Sequence, residues 1–358
     1  MNAIRAHLLP SALVLLAAVC VAAQAPPPRG ALQAIVEAEL ATFPARTGIY
    51  VKHLGAGEEA AVRADQAFSS ASVVKLTFLV RAYELADRGE LNLDERVTVG
   101  REQWRPGTGI LQYHDPGVAV TWRDLLTEMV ITSDNTATDL VLQRVGGVAA
   151  VNAWLAERGY PALRSNGRPH EYRRALLALI DPRFTILTAE ETTGLLYAMD
   201  GNVLFERYKD LFVGPRAAWV ATVTDADNRR RFGQLRDEKT ADDPAFWLGS
   251  MTPRDTARLL EGIQRDTAAS PKACAEMREA LRRQQLGARR LPHFVTVPVA
   301  HKTGDASRIA NDVGIIYARS GPVVVAFFAN AVTGSYGEAE DRIGRIAEAI
   351  VQAVDARP

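Results

Sequence analysis

Ser72 and Lys75 stand three residues apart in Ser-Ser-Ala-Ser-Val-Val-Lys (69–75), at the head of an apolar run. A serine hydroxyl holds its proton too tightly to attack a carbonyl at neutral pH. It needs an adjacent base, and donors for the oxygen that turns negative. On a helix, positions i and i+3 share a face, so the Lys75 amine comes within reach of the Ser72 hydroxyl. The amine becomes a base only where burial or neighbouring cations lower its pKa. A serine near a helix N-terminus also finds backbone N–H groups and the positive dipole end beside the reacting carbonyl. Alone, the pair equally describes a capping serine followed by a solvated lysine. The chain has only six lysines against 36 arginines, which gives a lysine inside a motif more weight.

Two further groups can complete such chemistry. Ser133-Asp134-Asn135 places a hydroxyl and a carboxamide two residues apart, suited to a proton relay and an amide anchor, although all three types also form turns. Lys302-Thr303-Gly304 ends a strand-like run with a cation, a hydroxyl donor and a residue that lets a ligand approach the backbone. No Gly-x-Ser-x-Gly elbow offers histidine-assisted catalysis instead. No His-x-x-x-His or Cys-x-x-Cys spacing suggests a metal, and no cofactor is expected.

The elements that must hold these groups read as follows. Residues 31–43 have amphipathic helical spacing, and 46–65 read as two strands around Gly55-Ala56-Gly57. The helix bearing Ser72 comes next, then helices at 121–132 and 148–159. Residues 165–249 resist placement apart from a capping box at Thr188 to Glu191. A helix opens at Thr252-Pro253. Three strands follow, over 293–305, 311–321 and 322–332, and a helix over 338–354 closes the chain. This order predicts an α+β fold: an antiparallel sheet built from both chain ends, flanked by helices, beside an all-helical region.

Ser-x-x-Lys, Ser-Asp-Asn and Lys-Thr-Gly in this order resemble class A serine β-lactamases and penicillin-binding proteins. The likeness extends through 68–84, 106–146, 252–263 and 299–317. It implies a helical domain beside an α/β domain with the site between them. Ser72 would be the acylated nucleophile, Lys75 the amine that helps deprotonate it, and Ser133 the proton relay to the departing nitrogen. Asn135 would hold the substrate's side-chain amide. Lys302 and Thr303 would bind its carboxylate beside Gly304, and the N–H groups of Ser72 and Asp305 would form the oxyanion hole.

The resemblance also implies a glutamate that activates the deacylating water. No Glu-x-x-x-Asn pattern supplies it, and the segment after Ser133 is roughly 70 residues longer than expected, so a long insertion occupies the omega-loop region at about 165–249. Glu171 is the first candidate and Glu238 the alternative. Asp305 would set a carboxylate against an anionic substrate, and Arg308 is the candidate replacement for a missing carboxylate-binding arginine.

Formal charge is zero over 358 residues, with no basic stripe for nucleic acid. Residues 1–25 have the charged start, apolar core and small-residue end of a secretory signal peptide, too short in its core for a stable membrane span. Cys20 raises lipidation as a minor alternative. Residues 26–30 read as a linker and 31–356 as the catalytic domain. The expectation is a secreted or periplasmic monomer acting on a small molecule. That molecule is a β-lactam or, alternatively, a D-alanyl peptide or ester. A slowly deacylating penicillin sensor is the third possibility.

Overall fold

The computed structural model describes residues 30–244 and 248–356; the expected leader with Cys20, and all of the linker except Gly30, lie outside them. Among the described residues the first elements are α1 (Ala31–Leu40), β1 (Arg46–His53), β2 (Glu59–Val62) and β3 (Phe68–Ser69). A 3₁₀ turn (Ala71–Val74) leads into α2 (Lys75–Asp87), followed by β4 (Arg96–Val99), β5 (Val118–Thr121), α3 (Trp122–Ile131), α4 (Asn135–Arg144) and α5 (Gly147–Glu157). Then come β6 (Arg164–Ser165), α6 (Pro169–Ile180), α7 (Ala189–Asp200), α8 (Ala217–Thr224), α9 (Ala226–Asp242) and β7 (Gly249–Met251). The chain ends with α10 (Pro253–Gln264), α11 (Pro271–Arg282), β8 (Val299–Ala306), β9 (Ile309–Ala318), β10 (Gly321–Asn330) and α12 (Tyr336–Asp355).

The architecture is α+β. Five strands form an antiparallel sheet in the order β2-β1-β10-β9-β8, so both chain ends build it and β8 is an edge. Alternation along β10 separates two cores. Val323, Val325 and Phe327 face the layer of α1 and α12, whereas Val324, Ala326 and Phe328 face the helical region. Phe327 meets Phe43 on the first side and Phe328 stacks on Phe68 on the second. Each such ring, fully buried, contributes about 1.5–3 kcal/mol.

At the centre of the helical region, α2 is buried from Lys75 to Leu85 at every position but Arg81. A helix that is apolar nearly all round must be enclosed, and α3, α4, α5 and α11 pack on it. Three details differ from the sequence reading. Ser72 lies in the 3₁₀ turn, and the α-helix starts at Lys75. The strand expected from 293 starts at Val299, because Pro298 cannot donate to the ladder. The pair β4–β5 and the helix α11, capped by Ser270 with Pro271 at its first position, were not anticipated. Between β6 and β7, which pair with each other, the described residues form α6 to α9.

Candidate active site

The segment before Ser72 is pinned to the main sheet by two buried asparagines. Asn311 Nδ2 donates to the carbonyls of Ser69 (2.9 Å) and Ser70 (3.1 Å), and Asn330 Oδ1 accepts from Ser69 N–H (2.8 Å). Gly304 lets this happen, since a Cβ there would sit 2.4 Å from the Ser70 carbonyl oxygen. Ala71 then takes a left-handed φ of 44°, uncommon and strained for a residue with a Cβ. Neither asparagine was singled out in the sequence; the signal was polar side chains inside or ending apolar strands.

Ser133 shows the same kind of strain, with φ 56°. Thr108 Oγ1 and Lys75 Nζ both donate to its carbonyl, at 2.7 and 2.6 Å. Its hydroxyl oxygen accepts from Lys75 Nζ (3.1 Å) and from Lys302 Nζ (3.0 Å). With Lys75 charged, both lone pairs are occupied and the O–H is left to donate into the cleft that Ser133 lines. With Lys75 neutral, its two N–H go to the Ser133 carbonyl and Asn135, and the Ser133 O–H donates to Nζ. Asp134 is the residue that answers to the turn reading: it caps α4 through Ala137 N–H and also accepts from Leu111 N–H. Asn135 Oδ1 accepts from Lys75 (3.1 Å), and its Nδ2 donates to the Pro106 carbonyl (3.0 Å).

Both lysines are fully buried. Burial pushes the Lys75 amine well below its ordinary pKa, and the charges of Lys302 and Arg173 push the same way against Asp134 and Asp305. Burial lowers Lys302 too, to about 8, with Asp305 and Asp312 opposing. Burial thus lowers both amines, and Lys302, at about 8, keeps much of its charge at neutral pH.

Asp305 does not present a bare carboxylate. Burial alone would raise its pKa, but the buried Arg290 guanidinium pairs with it and holds it low, and Tyr336 Oη donates at 3.0 Å. The Thr303 hydroxyl is buried and without a partner among the described residues. Arg308 donates to the Val332 and Ala331 carbonyls and does not line the cleft.

The cleft, about 310 Å³, brings together Ser72, Ser133, Asn135 and Asp305. Neither candidate glutamate is among its lining residues. Glu171 is the third residue of α6, and its carboxylate accepts from Arg168 N–H at 2.7 Å, closing a capping box at its own helix start. Glu238 is exposed on α9. The sequence reading also missed the wall opposite the serines, where α6, α7 and α9 supply Arg173, Leu176, Leu196, Asp200, Phe232 and Arg236.

A family model described as the beta-lactamase enzyme family matches residues 29–354. The chain is 34% identical over 117 residues to a beta-lactamase of Amycolatopsis lactamdurans, a match spanning 33% of this chain and 38% of that one. It is 31% identical over 159 residues to beta-lactamase L2 of Stenotrophomonas maltophilia, spanning 44% and 52% respectively. The chain thus spans about half the length of the curated relatives it matches. A beta-lactamase structure from Sphaerobacter thermophilus superposes with a TM-score of 0.65 at 24% identity, over 91% of this chain and 97% of that one. The structure of PBP-A does so with a TM-score of 0.65 at 22% identity, over 93% and 99%. These two likenesses concern the fold.

Proposed function

The chain belongs to the beta-lactamase enzyme family, and on that premise we propose that it is an exported serine hydrolase that opens the β-lactam amide through an ester on Ser72. The carrying observation is the convergence of Lys75 Nζ and Lys302 Nζ on Ser133 Oγ, in the cleft that Ser72 also lines. Ser72 Oγ attacks the lactam carbonyl as neutral Lys75 takes its proton. The N–H groups of Ser72 and Asp305 stabilise the oxyanion. The proton then passes through Ser133 to the ring nitrogen as the C–N bond breaks, leaving the acyl ester. Lys302 and Thr303 receive the substrate carboxylate, Gly304 gives it room, and Asn135 takes the side-chain amide. Export rests on the signal-peptide pattern of residues 1–25.

The position of Glu171 favours a second reading. With the Glu171 carboxylate closing a helix cap and Glu238 exposed, neither candidate glutamate lines the cleft. An enzyme that acylates readily and deacylates slowly, as a penicillin sensor or on D-alanyl peptides or esters, fits that arrangement. Purified protein mixed with a chromogenic cephalosporin separates the two. Continuous turnover supports the hydrolase; one stoichiometric burst with a mass adduct on Ser72 supports the slow acyl-enzyme. Undiminished labelling of Ser72→Ala by penicillin would move the nucleophile elsewhere and defeat both.

A further inference from the structure

Arg173, on the inward side of α6, brings a fixed cation into the cleft. One arm of its guanidinium is tied down, with Nη1 donating to the Pro169 carbonyl at 3.0 Å, and the group lies 4.9 Å from the centre of the Tyr172 ring. The other arm is aimed at the serine side. A Cβ on Gly107 would fall 2.8 Å from Arg173 Nη2 and 2.8 Å from Asn135 Nδ2, so the guanidinium tip and the carboxamide flank the same point of backbone. Gly107 has a left-handed φ of 105° and no side chain to separate them.

Among the described residues no carboxylate forms an ion pair with Arg173. The cleft has two carboxylates within its lining. Asp305 is committed to Arg290 and Tyr336. Asp200, whose burial raises its pKa, has the charges of Arg236, Arg229 and Arg173 opposing that rise. The helical wall is therefore net cationic where it faces Asn135. A half-buried guanidinium with one arm fixed loses little freedom when it takes up an anion, and its planar fork suits a carboxylate.

We propose that Arg173 is a specificity residue selecting acyl donors with a second anionic group, a carboxylate on the substituent beyond the amide placed at Asn135. This rests on the reading of the cleft as a β-lactam acylation site. The first carboxylate of such a substrate goes to Lys302 and Thr303; the second meets Arg173, with Arg236 on the same wall adding to the field.

The test compares second-order acylation rates of benzylpenicillin and its α-carboxybenzyl analogue, which differ by one carboxylate. The parent protein is expected to prefer the analogue, and Arg173→Gln to lower that preference about tenfold, the worth of one charge-assisted hydrogen bond. Arg173→Lys, which keeps the charge but not the fork, should retain part of it. Raising salt should erode the preference more in the parent than in Arg173→Gln, where only the field of Arg236 remains. Equal acylation of both compounds by the parent overturns the assignment while leaving the acylation site intact. So does a fall in both rates at constant ratio in Arg173→Gln, since that reports an effect on the Lys75 amine shared by every substrate. Acylation by neither compound overturns the β-lactam reading itself, and this assignment with it.

Discussion

Two ammonium groups cannot both be charged on one hydroxyl oxygen without strong mutual repulsion, and burial decides which proton is surrendered. Lys75 has Lys302 and Arg173 as cationic neighbours against Asp134 and Asp305, and Lys302 has Arg290 against Asp305 and Asp312. Burial pushes Lys75 well down, the direction the proposed base needs, and Lys302 retains its proton until about pH 8. The sign follows for acylation. Below the depressed pKa of Lys75 the amine is protonated and the rate falls with falling pH. Above about 8, Lys302 becomes neutral, the substrate carboxylate loses its partner, and the rate falls again. Lys302→Arg should move that alkaline limb upward by more than a pH unit, because a guanidinium stays charged throughout, while lowering the maximum rate through altered geometry. Second-order acylation by benzylpenicillin between pH 5 and 10 checks this. An alkaline limb unchanged in Lys302→Arg would assign the titration to another group.

At the scale of elements, the cleft depends on one buried carboxylate that ties two segments to α4. Asp139, 1% exposed, pairs with Arg105 through Nη2 (2.7 Å) and with Arg168 through Nε (2.7 Å). Arg105 precedes the cleft residues Pro106 to Thr108, and Arg168 is the N-cap of α6, the helix carrying Arg173. The two guanidinium groups hold the Asp139 carboxyl below its usual range in spite of its burial. Asp139→Asn leaves Arg105 buried and uncompensated, which costs about 3–5 kcal/mol. Urea denaturation at pH 7 should show that loss, and a loss below about 1 kcal/mol would mean that solvent already screens the pair. The anchor on Arg168 also explains Glu171. Pro169 at the first helical position followed by an acid at the third is a helix-start signature that was present in the sequence. Its distance after Ser133 along the chain is what made it the first candidate for the water base. Since glutamine serves the same cap, Glu171→Gln should leave Ser72 acylation and its hydrolysis within about twofold of the parent. A stalled acyl-enzyme in that variant, seen as a persistent mass adduct, would restore Glu171 as the water base.

For the whole molecule, the parts legible in the sequence were those whose pattern is local. Val323 to Phe328 lies in a run that reads as a strand, and the serine–lysine pair was placed at the head of what is α2. Ser133-Asp134-Asn135 was placed at the end of what is α3, and Lys302-Thr303-Gly304 on what is β8. The wall of the cleft was illegible because its residues are isolated polar or apolar positions on α6, α7 and α9, brought together only by tertiary packing. In α9, the arginine-rich Ala226–Asp242 has almost no apolar stripe to reveal it, and Phe232 is its one core residue among those described. That packing makes the segment between β6 and β7 part of the molecule's single helical core. Leu176, Leu195, Tyr208 and Phe212 belong to the same apolar cluster as Leu76, Leu125 and Val141. Trp104, fully buried, lies against Tyr208 with ring centres 6.4 Å apart. Tyr197 Oη donates to Gln112 Oε1 at 2.7 Å, and Gln112 Nε2 in turn donates to the carbonyls of Gly107 (2.7 Å) and Gly109 (3.1 Å), the loop that faces Ser133. Replacing residues 166–248 with a short Gly-Ser turn would expose Trp104, strand the Gln112 amide and remove the cleft wall at once. Several large side chains lose their cover together, at about 3–5 kcal/mol each for the aromatic ones, against a total stability of about 5–15 kcal/mol for an ordinary domain. The shortened chain should therefore lose its cooperative thermal transition and its penicillin labelling at Ser72. A deletion variant that melts cooperatively within a few degrees of the parent and still acylates would show that the helical segment is an appendage to a core complete without it.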